Sequence, residues 1–119
     1  MFEQDFVMRQ IHDMVRMLAK LFLHKDTVTY EFCEEKEKTD TDFLYQKILD
    51  RLNDGDINGA ENMLYENFLP GNETYMTMCL DFYGRLNELS EEYLSEHDYS
   101  REEIEDGLKM FAQKNGISL

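Results

Sequence analysis

Apolar residues at helical spacing from Leu44 to Leu64 constrain the fold of this chain more than any other feature. They form one stripe of an α-helix at Leu44, Tyr45, Ile48, Leu49 and Leu52. The run Asp54-Gly55-Asp56 ends this helix, because Gly adopts the left-handed conformation easily and Asp caps the helix that follows. The stripe resumes at Ile57, Ala60, Met63, Leu64 and Phe68. We therefore expect two helices that fold back on each other and stop at Pro70-Gly71.

The N-terminal segment from Phe2 to Leu23 is the longest periodic stretch and predicts a long amphipathic helix. Its main apolar stripe follows a spacing of 4, 3, 4 and 3 residues, at Val7, Ile11, Met14, Leu18 and Leu21. Phe6 and Met17 fall beside this stripe. We expect them either to pack against a second neighbour within the bundle or to form the edge of a contact between two copies of the chain.

The rest of the chain is also helical in pattern, and no stretch shows a clear alternation typical of a strand. The predicted segments are a weak helix from Thr27 to Glu37, a helix from Asn72 to about Leu89, a short helix from Ser90, and a last helix from Ser100 to about Lys114. Thr39 or Thr41 is the best cap for the first hairpin helix, and Ser100 with Glu103 forms a capping box. Gly84 costs about 1 kcal/mol relative to Ala inside its helix, so we expect another backbone to approach it closely.

Length and charge bound the class of protein. The 119 residues suit one domain. Together with the helical periodicity, this length predicts an all-α fold, a small bundle of about five to six helices over residues 1–119. A formal net charge of −14 disfavours nucleic acid and anionic membrane surfaces as partners, because their phosphates would be repelled. No apolar run is long enough to span a bilayer, and the N-terminus lacks a basic signal region. Cys33 and Cys79 form no CxxC pair, which favours reduced thiols in a cytoplasmic protein.

Residues that carry chemistry do not form a recognisable catalytic or metal-binding pattern. None of the three histidines belongs to an HExxH motif or follows a Glu three residues earlier. The run from Asp54 begins like a calcium loop, but the twelfth position is Tyr65 rather than the bidentate Glu that such a loop requires. We therefore expect no catalytic residues, no cofactor and no metal.

Two resemblances add to this reading. The central hairpin resembles a single tetratricopeptide-type repeat at Leu44, Gly55-Asp56, Ile57, Ala60 and Leu64. It departs from that repeat at Ile48, Arg51 and Asn67, and an ordinary antiparallel helix pair is the alternative. The chain is also similar to an uncharacterised bacterial family of short all-helical proteins, through FEQDFVMRQIHDMVRMLAKLFL, LNDGDINGAENML and FYGRLNELSEEYLSEHDYSREEIEDGL. That resemblance implies the fold and a bacterial, cytoplasmic origin, and it implies no activity.

The leading functional hypothesis is a non-catalytic protein-interaction module, either a homodimer or an adaptor for another chain. It is motivated by the repeat-like hairpin, by Phe6 and Met17 beside the main apolar stripe, and by eight methionines, which adapt to varied binding surfaces. The candidate interaction surface consists of Phe6, Met17, Tyr45 and Arg51.

Two other hypotheses stay open. One is a bundle that binds a small ligand, or acts as an enzyme, in an inter-helix pocket around Tyr75, Cys79, Tyr83 and His24. The other is mimicry of nucleic-acid charge, which follows from the large negative net charge.

Overall fold

The computed structural model describes the backbone of residues 2–118 and the side chains of residues 5–118. Over this range the chain forms six α-helices and no strand. The helices are α1 (Phe2–Leu23), α2 (Asp40–Asn53), α3 (Ile57–Glu66), α4 (Glu73–Asn87), α5 (Glu91–Glu96) and α6 (Arg101–Lys114). A 3₁₀ turn, Glu35–Glu37, precedes α2. The prediction of a small all-α bundle with a long N-terminal helix and a central hairpin is confirmed.

The five helices after α1 begin at residues whose side chains accept the first free N–H groups. Thr39 accepts a hydrogen bond from the backbone of Asp42, whose carboxylate accepts one from the backbone of Thr39 in return. The same reciprocal pair forms at the start of α6, between Ser100 and Glu103. Side-chain caps also start the other three helices after α2, at Asp56, Asn72 and Ser90. The predicted caps are therefore confirmed, and Gly55 closes α2 with a φ of +90°.

Helix α4 is the centre of the bundle, because α1, α2 and α6 all pack against it. Its buried apolar side chains point in several directions, as the sequence predicts, and include Tyr75, Met76, Met78, Cys79, Leu80, Phe82, Tyr83 and Leu86. Helix α1 packs on α4 and α6, whereas α2 packs mainly on α3. This arrangement leaves one side of α1 on the outside of the bundle.

The prediction of a weak helix from Thr27 to Glu37 is wrong, because residues 28–34 have no regular secondary structure before the 3₁₀ turn. We call residues 27–33 the extended segment. Its side chains alternate between exposed and covered, with Val28, Tyr30 and Phe32 turned inward. Tyr30 anchors the segment: its backbone N–H donates to Oδ1 of Asp81 at 3.1 Å and its hydroxyl donates to Oδ1 of Asp42 at 2.7 Å. These contacts with distant parts of the chain override the weak local preference for helix.

Two helical glycines have opposite surroundings. A Cβ placed on Gly84 would meet no heavy atom within 4 Å, so the expected close approach of another backbone to Gly84 is wrong. The close approach occurs instead at Gly107, in α6, where a Cβ would lie 2.5 Å from the hydroxyl oxygen of Tyr83. Gly107 therefore lets α6 sit tightly on α4, whereas Gly84 borders open space.

Candidate functional site

One face of α1 carries large apolar side chains that are exposed to solvent. Phe6 is 63% exposed, Leu21 is 51% exposed and Met17 is 39% exposed. With Gln10 and the partly buried Met14 they form a stripe spaced by 4, 4, 3 and 4 residues, which we call the α1 seam. The seam runs from Phe6 to Leu21 and is about 22 Å long at the rise of an α-helix.

The α1 seam arises because α1 has more apolar residues than its neighbours can cover. Ile11, Leu18 and Ala19 face α4 and α6 and are fully buried. Phe6 and Met17 lie roughly a quarter turn or more away from that buried stripe, at 100° per residue. Of the two placements expected for Phe6 and Met17, the structure excludes packing on a second neighbour within the bundle, because both side chains are exposed to solvent.

Electrostatics also sets α1 apart. Its sequence contains three acidic and three basic residues, at Glu3, Asp5, Asp13, Arg9, Arg16 and Lys20. The helix therefore has a formal net charge of zero, and the −14 of the chain falls on the remaining residues. A second copy that approaches α1 meets less like-charge repulsion than it would meet elsewhere on this protein.

The other two residues of the candidate interaction surface do not belong to the α1 seam. Tyr45 is fully buried, which corrects its placement on an exposed surface; its hydroxyl donates to the carboxylate of Asp81 inside the bundle. Arg51 is exposed and lies 3.8 Å from the carboxylate of Asp56. Because Arg51 is carried by α2, which packs mainly on α3, it occupies a different part of the bundle from Phe6.

The residues of the candidate inter-helix pocket are mostly packed in the core. Tyr75, Cys79 and Tyr83 are each at most 1% exposed, and burial raises the pKa of the Cys79 thiol far above its usual value. The hydroxyl of Tyr75 donates to the carbonyl oxygen of Leu64. His24 is exposed just after α1, with a φ of 56°. The structure therefore joins the two tyrosines and the cysteine in packing contacts, and it leaves His24 at the surface.

A cluster of Glu61 and three tyrosines joins α3, α4 and α6 next to this core. Oε2 of Glu61 accepts hydrogen bonds from the hydroxyls of Tyr83 at 2.6 Å and Tyr99 at 3.1 Å. The hydroxyl of Tyr65 lies 2.8 Å from that of Tyr83 and donates to the carbonyl oxygen of Gly107 at 3.0 Å. Burial raises the pKa of Glu61, and the two phenols only partly oppose this effect. The sequence gives no spacing signal for this cluster, because its members come from distant segments.

The buried carboxylate of Asp81 holds the extended segment and α2 onto α4. It accepts hydrogen bonds from the hydroxyl of Tyr45, from the backbone N–H of Tyr30 and, at 2.7 Å, from Nε of Arg85. We call this group the Asp81 clamp. A signal for it exists in the sequence, because Asp81 stands between Leu80 and Phe82 in a helix that is apolar on several faces, with Arg85 four residues later.

Neither of the two polar groups has the composition of a metal site. Within the described side chains, no three His, Cys, Asp or Glu residues lie together in a way that would hold a metal ion. Across the described helices, no stretch combines the length and the apolar character that crossing a bilayer requires.

Comparison with known proteins gives a family and no activity. A protein-family model described as a family of unknown function, DUF6483, matches residues 1–116. No curated protein and no solved structure matches the chain. The resemblance of the central hairpin to a tetratricopeptide repeat therefore stays a prediction. Because the match spans nearly the whole length, the chain belongs to the DUF6483 family, whose function is unknown.

Proposed function

We propose that this protein is a non-catalytic interaction module that pairs with a second copy of itself through the α1 seam. The observation that carries the proposal is the seam itself, which places Phe6, Met17 and Leu21 on one solvent-facing stripe of a 22-residue helix. Contiguous exposed apolar surface of this kind is typical of a binding site. Single exposed apolar residues occur on most proteins, but here three lie on one stripe of one helix, interrupted by the polar Gln10.

The seam is self-complementary when two copies of α1 run antiparallel. A two-fold axis between positions 13 and 14 sets Phe6 of one copy against Leu21 of the other, and Gln10 against Met17. Met14 then lies next to the axis and faces its own equivalent. A closed two-fold pairing of this kind is the commonest form of association between identical chains.

The distribution of charge favours α1 as the place where two copies meet. Each copy carries −14, so two copies repel each other over most of their surfaces at ordinary ionic strength. Helix α1, with no net charge, is the place where two copies approach with the smallest repulsion. A strongly basic partner would instead favour the acidic faces made by the other helices.

The size of the seam limits the affinity. One pair of helices in contact over about 22 Å gives an interface at the small end of those that proteins form. We therefore expect a reversible dimer with a dissociation constant on the order of micromolar, strengthened by salt that screens the net charge.

Sedimentation equilibrium of the parent chain and of two variants tests this proposal. Phe6→Glu places a charge in the seam and is expected to make the chain monomeric. Phe43→Glu is the matched control, because Phe43 is 52% exposed on α2, outside the seam. The proposal fails if the parent chain stays monomeric up to about 1 mM, far above the expected dissociation constant. It also fails if both variants weaken association equally.

The adaptor form of the hypothesis uses the same seam with a different occupant. A chain that is monomeric but loses capture of another protein in Phe6→Glu, and not in Phe43→Glu, would replace the homodimer by an adaptor. We include a bacterial, cytoplasmic setting in the proposal. The cytoplasmic part is supported by two free cysteines, Cys33 and Cys79, since free thiols are common where the surroundings are reducing.

A further inference from the structure

A cleft lies between α1, the extended segment and α4, away from the α1 seam. It has a volume of about 380 Å³, and His12, Arg16, Thr27, Gly84 and Arg85 are among the residues that line it. That volume suits a small organic molecule rather than a large cofactor or a folded partner.

Two guanidinium groups give the cleft its chemistry. Arg85 is fixed through Nε by the Asp81 clamp, and its side chain is still 46% exposed. Arg16 is exposed on α1 and forms no ion pair with any described residue. A planar guanidinium matches a carboxylate with two parallel hydrogen bonds, and one that is already held in place loses less entropy on binding.

Acidic residues at the cleft mostly have cations of their own. Asp81 is bound by Arg85, and the carboxylate of Asp26 lies 3.5 Å from Nζ of Lys20. Glu88 also lines the cleft and forms no ion pair within the described residues. With Lys20 counted, three cations face three carboxylates, so the cleft has no net positive charge. A ligand with a single negative charge therefore depends on direct contact with the guanidinium groups, and a polyanion is repelled by Glu88 and by the charge of the whole chain.

The floor and walls of the cleft provide apolar surface. The partly buried Val15 and Val28 line it, Leu80 lies beneath with no exposed surface, and Gly84 contributes bare backbone. A Cβ on Gly84 would stand in open space, so packing does not require glycine there. Gly84 weakens its own helix by about 1 kcal/mol, and packing does not require it. A ligand that occupies the space of a side chain at this position would explain why a glycine stands there.

We propose that this cleft binds a small organic monocarboxylate, with its carboxylate on Arg16 and Arg85 and its apolar part on Val15 and Val28 above Gly84. The site uses no residue of the α1 seam, so it is independent of self-association. Its failure would leave the proposed pairing untouched.

The test is a titration of the full-length ¹⁵N-labelled chain with sodium phenylacetate, followed by amide chemical shifts. We expect saturable shifts at Thr27 and Gly84, with a dissociation constant on the order of millimolar for so small a ligand. Phenylacetamide, which has the same ring and no charge, and citrate, which carries three charges, are each expected to bind at least about tenfold more weakly.

Variants separate this site from general attraction to cations. Arg16→Gln is expected to weaken phenylacetate binding at least about fivefold, whereas Arg9→Gln, an exposed arginine on the same helix, leaves it unchanged. Gly84→Leu fills the floor and is expected to abolish binding, while its thermal melt shows that the chain still folds. Absence of saturable shifts, equal effects of the two arginine variants, or binding that survives Gly84→Leu would each overturn the proposal.

Discussion

The same substitution at two helical glycines is expected to raise stability at one and to leave it unchanged or lower it at the other. Gly84→Ala removes the flexibility of glycine inside α4 and adds a methyl group where no heavy atom lies within 4 Å. The gain is about 1 kcal/mol, the difference in helix propensity between glycine and alanine. Gly107→Ala has the same gain, but its methyl group would lie 2.5 Å from the hydroxyl of Tyr83.

Tyr83 cannot give way freely, because its ring is fully buried and its hydroxyl is bonded to Glu61 at 2.6 Å. Forcing an extra methyl group into such a place costs about 1–3 kcal/mol. The helix-propensity gain is the same in both variants and cancels when they are compared. Gly107→Ala is therefore expected to be less stable than Gly84→Ala by about 1–3 kcal/mol.

Thermal unfolding followed by circular dichroism measures this difference. For a chain of 119 residues, 1 kcal/mol corresponds to about 4 °C in Tm, so the two variants should differ by about 4–12 °C. Gly84→Ala should melt above the parent chain. Equal Tm values for the two variants, or a Gly84→Ala variant that melts below the parent, would refute the assignment of the close approach to Gly107.

Three further variants test the hydrogen-bonded carboxylates of Asp81, Asp42 and Glu61. Asp81→Ala is expected to cost at least about 2 kcal/mol in urea unfolding, because two buried donors lose their acceptor; a loss under about 0.5 kcal/mol would contradict the clamp. Burial alone would raise the pKa of Asp42, but hydrogen bonds from the backbone of Thr39 and from Tyr30 outweigh it and lower the pKa from 3.8 to about 2. The ionised Asp42 carboxylate therefore adds up to about 2 kcal/mol of stability above pH 4, and this is lost as the pH falls through 2. The free energy of unfolding of Asp42→Asn should accordingly approach that of the parent chain in acid. A difference that persists at pH 2 would contradict this. Glu61 has a raised pKa, so its contribution to stability is present in acid and lost as the pH rises through its pKa in the fold. The free energy of unfolding of Glu61→Gln should therefore rise relative to that of the parent chain between pH 4 and pH 7. A constant difference between the two would contradict this.

Local chemistry explains why much of the fold was predictable from the sequence. The caps at Thr39, Asp56 and Ser100 depend on side chains that bond their own neighbours, so residue type and spacing are sufficient to find them. The hairpin turn depends on a glycine with positive φ at Gly55, which has the same local origin. Helix α1 has the predicted bounds because its apolar periodicity is long and uninterrupted.

Contacts between distant segments explain the errors. Residues 27–33 are extended because Tyr30 bonds Asp81, a residue 51 positions away. The same clamp buries Tyr45, whose phenol on its own suits either a surface or a core. The surroundings of Gly84 and Gly107 depend on how α4 meets α1 and α6, and periodicity does not contain that packing order.

Disulfide cross-linking within α1 tests the central proposal, antiparallel pairing through the α1 seam, most directly. In a Cys33→Ser background, Met14→Cys places two thiols beside the two-fold axis, within the 7 Å that a disulfide can bridge between Cα atoms. Gln10→Cys serves as the control, because its equivalent lies about seven residues away along the partner helix, or roughly 10 Å. The account predicts a disulfide-linked dimer for Met14→Cys and little for Gln10→Cys on a non-reducing gel. Equal cross-linking of both variants, or no dimer for Met14→Cys, would contradict it.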